Sequence, residues 1–72
     1  MLADKKYCGM RFRIEVLPDE EIILHCLGDD RKETLKLKDM AICSKELYIK
    51  IDEIVYKFIA MCGVWILVGE FK

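Results

Sequence analysis

The sequence of this 72-residue chain predicts a mainly β fold: a small five- to six-stranded antiparallel sheet or a partly open barrel. Apolar and charged residues alternate one for one in several short segments, which is the pattern of half-buried strands. Acidic clusters, glycine and proline separate these segments, as turns do. β-Branched and aromatic residues are frequent in the second half of the chain, where they favour extended structure.

The length allows one small domain, residues 1–72, with residues 1–9 as a polar lead-in. The composition is 54% apolar and 35% charged, and it includes one Ser, one Thr and no Asn or Gln. A chain this short has mostly surface positions. Some apolar side chains are therefore expected to face outward or to face another molecule.

The first half of the chain predicts a three-stranded meander. Its strands are expected at residues 10–17, 22–28 and 34–38, with the acidic turns "PDEE" and "DDRKE" between them. The alternation places one apolar set inward: Phe12, Ile14, Val16, Leu35 and Leu37. Residues 22–28 are apolar on both faces, which is typical of a strand covered on both sides.

Residues 45–62 fit two structures. As strands, they break at Asp52-Glu53 and start again near Ile54, which the β-branched content favours. As a helix, they place their charges on one side, with Ser44 as N-cap and Gly63 after the last turn. The helix would give an α+β alternative with a three-stranded meander and a terminal strand at 64–71. Residues 39–46 remain ambiguous, and 64–71 is a final strand in both cases.

The segment "LYIKIDEIVY", residues 47–56, resembles the strand, short turn and strand passage of SH3-like and Sm-like barrels. The resemblance covers these residues alone and includes no diagnostic motif. It implies a domain of the same size and general barrel form.

No motif predicts catalysis, a cofactor or a metal. The single histidine, His25, neighbours Cys26, and adjacent residues of a strand point to opposite faces, so they do not form a catalytic pair. Glycine-rich phosphate loops and a nucleophilic triad are absent. We therefore expect a protein that is not an enzyme, with no catalytic, cofactor-binding or metal residues.

Four cysteines are spaced by 18, 17 and 19 residues, with no C-x-x-C pair. This spacing lacks the zinc hairpin signature and fits one cysteine per strand or hairpin. Packing as small buried side chains is the favoured interpretation. Disulfides and a metal site remain alternatives. The cysteines are Cys8, Cys26, Cys43 and Cys62.

The apolar C-terminal region predicts a protein interface, either with a second copy of the chain or with another protein. The candidate residues are Tyr56, Trp65, Leu67 and Phe71. In a regular strand Trp65, Leu67 and Phe71 share one face. The alternative is that both faces of this strand are covered within the domain.

A basic strand face gives a second functional hypothesis, nucleic-acid binding. Its candidate residues are Arg11, Arg13, Lys36 and Lys38. Basic sheet faces bind phosphates, usually together with stacking aromatics. The net charge of −1 and the interruption by Glu15 favour an ordinary solvated face instead.

The N-terminus lacks the apolar region of a secretory signal, so a cytoplasmic protein is expected. The longest apolar run is short and contains Lys57, so no membrane contact is expected. Abundant Lys, Glu and Ile without Asn or Gln resemble thermophile composition, although four Met and four Cys oppose it.

Overall fold

The computed structural model describes residues 9–28 and 30–71, which form one sheet of seven antiparallel strands. The strands are β1 Arg11–Leu17, β2 Glu21–Cys26, β3 Lys32–Lys36, β4 Met40–Cys43, β5 Glu46–Ile51, β6 Ile54–Met61 and β7 Val64–Glu70. A 3₁₀ turn, Leu37–Asp39, joins β3 to β4. The mainly β prediction is confirmed. The polar lead-in falls almost wholly on residues 1–8, which lie outside the described residues.

The strand order is β3-β2-β1-β7-β6-β5-β4, so the sheet has two halves, β1–β3 and β4–β7. Its edge strands, β3 and β4, are consecutive in sequence. Seven flat strands would separate the two edges by about 29 Å, whereas the link from Lys36 to Met40 spans at most about 14 Å. The sheet must therefore curl until its edges approach each other. It remains unclosed, as expected for a partly open barrel.

The helix alternative for residues 45–62 is wrong, because this segment forms the β5–β6 hairpin. The chain reverses at Asp52 and Glu53, whose φ angles of 50° and 68° are left-handed. The ambiguous segment 39–46 contains β4 and a turn at Ser44, φ 58°. This added strand brings the total to seven rather than five or six.

The core lies inside the curl and draws on both halves of the sheet. Its buried members are Phe12, Leu24, Cys26, Leu47, Ile49, Ile51, Tyr56, Phe58 and Leu67. The rings of Phe12 and Phe58 meet edge to face with centroids 5.5 Å apart. Backbone pairing between β1 and β7 includes Arg11 with Ile66 and Phe12 with Trp65, and Leu67 also bonds to the backbone of Gly9 and Met10. This short ladder and the side-chain packing together connect the two halves.

Two residues expected inward lie outside this core. Val16 is on the inner face of β1, opposite the buried Ile22, but it extends past the core and is 69% exposed. Leu37 is 37% exposed because β3 ends at Lys36 and the chain enters the 3₁₀ turn. The third strand was predicted to end at residue 38, and it ends at Lys36. In the described residues no helix is long and apolar enough to cross a membrane.

Candidate interaction surface

The four predicted interface residues do not share one surface. Tyr56 and Leu67 are core residues, with 2% and 1% of their surface exposed. Trp65 is half-buried and packs against the core from the inner face. Phe71 is 53% exposed and lies on the outer face. Burial of the Tyr56 side chain raises the pKa of its hydroxyl, with smaller contributions from nearby carboxylates.

A β-bulge explains the position of Phe71. Pairing along β6 and β7 shifts from Phe58 with Leu67 to Lys57 with Gly69, so Val68 is an extra residue. One extra residue reverses which face each later side chain occupies. The Phe71 N–H donates to the Val55 carbonyl at 2.7 Å, which places Phe71 beside Val55 on the outer face. Gly69 was the sequence signal, since glycine within a strand often marks a bulge.

The outer face of β5–β7 carries six apolar side chains, which we call the apolar patch: Tyr48, Val55, Ile59, Val64, Ile66 and Phe71. Lys57 lies among them, between Val55 and Ile59 on β6. Ile59 pairs directly with Ile66. The rings of Tyr48 and Phe71 meet edge to face with centroids 5.0 Å apart. Within residues 9–28 and 30–71, no helix or second sheet lies over this face. Phe71 was not predicted on this face because its parity depends on the bulge.

A polar network lies within the apolar patch, around Tyr48. The Tyr48 hydroxyl donates to Glu46 Oε1 at 2.7 Å, and Lys57 Nζ lies 3.6 Å from Glu46 Oε2. The hydrogen bond from Tyr48 and then the charge of Lys57 lower the pKa of Glu46. The same bond raises the pKa of Tyr48. At neutral pH, Glu46 is therefore an anion that holds the Tyr48 ring beside Phe71.

The four predicted basic residues do not share one surface either. Arg11 and Arg13 are exposed on the outer face of β1, as expected. Lys36 lies in the row of Leu17 and Glu21, about 14 Å along the strands from Arg13, and its Nζ is 3.5 Å from Glu21. Lys38 is on the 3₁₀ turn rather than on the sheet.

The register instead aligns Arg13, His25 and Lys32 across β1, β2 and β3. The short β1–β2 turn could have predicted the pairing of Arg13 with His25, because hairpin turns set register. His25 Nε2 lies 2.9 Å from Glu15 Oε1, so this basic row includes a carboxylate neighbour.

The remaining reactive groups are dispersed. Cys26 is in the core, on the opposite face from His25, as the alternation predicted. Cys43 and Cys62 are exposed, so they do not fit the packing interpretation, and Cys8 lies outside the described residues. In the described part of the chain, no three His, Cys, Asp or Glu residues form a metal-binding group. An open depression of about 430 Å³ is lined by Asp19, Glu20, Lys36, Leu37 and Lys38.

Comparison of this chain with known protein families, with curated proteins and with solved structures gives no match.

Proposed function

We propose that this domain is a non-catalytic interaction module that makes protein–protein contacts through the apolar patch, with a second copy of the chain as its partner. The observation that carries the proposal is the pairing of Ile59 with Ile66 on an outer face that no other described element covers. Clustered apolar side chains on an uncovered face are typical of interaction sites. The β1–β3 half has no equivalent, since its outer face holds mainly charged residues.

The shape and chemistry of the patch favour a protein partner. The patch lies on a sheet face rather than in an enclosed cavity, which suits another surface better than a small ligand. The patch includes two aromatic rings in contact, Tyr48 and Phe71. The Glu46–Lys57 ion pair lies among its members, with Lys57 between Val55 and Ile59 on β6. Apolar and aromatic side chains together with polar groups are usual in protein interfaces.

The test is the solution mass, measured by size-exclusion chromatography with light scattering over a range of concentrations in reducing buffer. We expect the wild-type chain to associate and Ile59→Lys to weaken association by at least about tenfold, since it buries a charge in the contact. Glu46 is the cross-strand neighbour of residue 59, so a lysine there has a carboxylate beside it and should fold.

The matched control is Ile23→Lys, on the outer face of β2. Residue 23 also has a glutamate neighbour, Glu15, on one side and an uncharged residue, Thr34, on the other. This variant should associate as the wild type does. A wild-type chain that stays at 8.5 kDa up to millimolar concentration would contradict the proposal.

The alternative function is nucleic-acid binding by the basic row of Arg13, His25 and Lys32, with Arg11 next to it. It is favoured only by this alignment, and the net charge of −1 opposes it. Fluorescence anisotropy with a labelled single-stranded oligonucleotide is the test. Binding at low salt that falls steeply with added salt and weakens in Lys32→Ala, but not in the control Lys50→Ala, would support it. No binding at low salt would remove it.

A further inference from the structure

One cross-strand row of the outer face runs through the apolar patch and has opposite charges at its ends. Ile59 and Ile66 form a cross-strand pair between β6 and β7. Glu46 lies beside Ile59 on β5, and Arg11 lies beside Ile66 on β1. The row spans three strand spacings, about 14 Å. It therefore consists of an acidic residue, two apolar residues and a basic residue, in that order.

The two charged ends of this row differ in the partners that they have within the chain. Glu46 accepts the Tyr48 hydroxyl and lies 3.6 Å from Lys57 Nζ. Arg11 is exposed, and within residues 9–28 and 30–71 it forms no ion pair. A guanidinium group binds a carboxylate through two parallel hydrogen bonds. Arg11 is therefore available to a carboxylate of another molecule.

We propose that two copies of this chain pack face to face about a twofold axis that lies along the strands, midway between β6 and β7. This inference rests on the proposed function and names the register in which the second copy covers the apolar patch. The rotation exchanges β6 with β7 and β5 with β1 between the copies. Ile59 then faces Ile66 of the second copy, and Glu46 faces Arg11 of the second copy. The symmetry makes each contact occur twice.

The neighbouring rows of β6 and β7 fit the same axis. Met61, which is 56% exposed, pairs with Val64, so the rotation places these apolar side chains against each other. Lys57 pairs with Gly69, so Lys57 faces Gly69 of the second copy, which has no side chain. In the described chain, the space above Gly69 is open. Lys57 can therefore stay beside Glu46 while it lies over bare backbone.

Other twofold axes oppose like charges or place a charge against an apolar residue. An axis along β6 would place Lys57 against Lys57 of the second copy. An axis along β7 would place Arg11 against Ile59. An axis across the strands at the row of Ile59 would place Arg11 against Arg11 and Glu46 against Glu46. Of these four axes, only the one between β6 and β7 joins opposite charges and also joins apolar residues.

The curl of the sheet suits this arrangement. The outer face of a curled sheet is convex, so the gap between two such faces is narrowest at the axis. Packed faces lie about 10 Å apart with strands about 30° from aligned, which puts the axis about 15° from each strand direction. Ile59 and Ile66 lie at the narrow centre. Glu46 and Arg11 lie one strand further out on either side, where longer side chains are needed to cross the gap.

The first test reverses the charge at Arg11 and measures association by size-exclusion chromatography with light scattering. Arg11→Glu places like charges at two symmetric contacts with Glu46, so association should weaken by at least about tenfold. The matched control is Lys32→Glu, at an exposed site on β3, three strands from β7. It makes the same change in net charge and should leave association unchanged. Equal weakening by both variants would overturn the inference.

The second test establishes that Arg11 acts on a second copy. Glu46→Arg should also weaken self-association, because it places like charges against Arg11. A fluorescently labelled Glu46→Arg chain should bind the Arg11→Glu chain with close to wild-type affinity, since both contacts then join opposite charges. Lys32→Glu has the same net charge as Arg11→Glu and should bind the labelled chain at least about threefold more weakly, because one contact joins like charges. Equal binding of the two chains would contradict this register.

A double-mutant cycle replaces the second test if circular dichroism shows that Glu46→Arg does not fold. Glu46→Gln removes the charge and keeps an oxygen that can accept the Tyr48 hydroxyl. Arg11→Ala should weaken association of the wild-type chain by about fivefold and have little further effect in Glu46→Gln. Additive effects of the two substitutions would overturn the contact between Arg11 and Glu46.

The outcomes separate this inference from the proposed function. Association that Ile59→Lys weakens and Arg11→Glu leaves unchanged would overturn this register and retain the apolar patch as the contact. Association that both variants weaken, with binding restored between the Arg11→Glu and Glu46→Arg chains, supports the register. A wild-type chain that remains monomeric would overturn both.

Discussion

The two halves of the sheet have similar inner faces and different outer faces. In β1–β3, Leu24 is 1% exposed, and in β4–β7, Leu47 is 0% exposed, so both halves contribute fully buried side chains to the same core. On the outside, β1–β3 carries the Glu15–His25 pair and the row that continues to Lys32. The outer face of β5–β7 carries the apolar patch instead.

The difference between the two outer faces shows which apolar positions are required for folding. A domain of this size needs most inner positions to be apolar, because its core is close to the minimum that is stable. Nothing in folding requires Ile59, Ile66 and Phe71 on the outer face, where charged residues serve the other half equally well. The outer apolar residues are therefore where function is to be sought.

The largest expected effect on stability tests whether the inner faces of both halves belong to one core. Leu24→Ala and Leu47→Ala should each lower the free energy of unfolding by about 2–5 kcal/mol, through lost burial and a residual cavity. Urea denaturation followed by circular dichroism measures this. If either alanine variant fails to fold, Ile22→Val and Ile49→Val should each cost about 0.5–1.5 kcal/mol. A cost confined to one half would contradict a shared core.

A smaller effect compares contacts on the two outer faces. Phe71→Ala should cost about 1 kcal/mol, since it removes the edge-to-face contact with Tyr48. Glu15→Gln, which removes the carboxylate charge beside His25, should cost about 0.5 kcal/mol or less. Denaturation midpoints measured side by side give the difference. A larger loss in Glu15→Gln would mean that the charged face contributes more to stability than the apolar patch.

Substitutions in the hairpin turns should raise the unfolding free energy rather than lower it. Glu20 in the β1–β2 turn and Glu53 in the β5–β6 turn have φ angles of 60° and 68°, a left-handed conformation that disfavours residues with a Cβ. Glu20→Gly and Glu53→Gly should each raise the unfolding free energy by about 0.5 kcal/mol. Thermal melting checks this. Destabilisation by both variants would show that the glutamate side chains matter more than the backbone strain.

The smallest effect is a pH dependence that arises from Glu46 and Tyr48 in the β4–β7 half. Because the pKa of Glu46 is lowered, its contribution is present above its ordinary value of 4.5 and is lost as the pH falls through the lowered pKa. Because the pKa of Tyr48 is raised, its contribution is present below 10.0 and is lost as the pH rises toward the raised pKa. Unfolding free energies measured against pH for wild type and Tyr48→Phe check this.

Tyr48→Phe should flatten both limbs of that profile, since it removes the hydrogen bond that shifts both groups. Tyr56→Phe is the control, because Tyr56 has a pKa raised mainly by burial and should affect only the alkaline limb. An acid limb that is unchanged in Tyr48→Phe would show that the Lys57 charge, rather than the hydrogen bond, dominates at Glu46.

Local pattern predicted much of the fold. The alternation in "RFRIEVL" corresponds to β1, and the break at Asp52-Glu53 is the β5–β6 turn. It could not assign 45–62 to strand over helix, because the same charges that alternate along a strand also cluster on one side of a helix. It did not identify β4, since four residues give too short a pattern to distinguish from a loop.

The candidate sites were predicted less well. Arg11 and Arg13 were correctly placed outward by alternation, but their partners were not, because the rows across a sheet depend on register. Lys32 joins Arg13 only through the pairing with His25. Phe71 lies on the opposite face from Leu67 because the extra residue Val68 reverses which face each later side chain occupies. The first error concerns position along the strands and the second concerns the face, and both depend on strand pairing.

The sequence by itself determined that this chain forms strands, where most of them turn, and that it holds more apolar side chains than its core can bury. These properties follow from local periodicity and composition, which act within a few residues. Only the tertiary structure decided that Tyr56 and Leu67 are internal, that Phe71 is external, and that the uncharged β4 strand is an edge. Those outcomes depend on register, on the bulge and on strand order, which are set by contacts between residues distant in sequence.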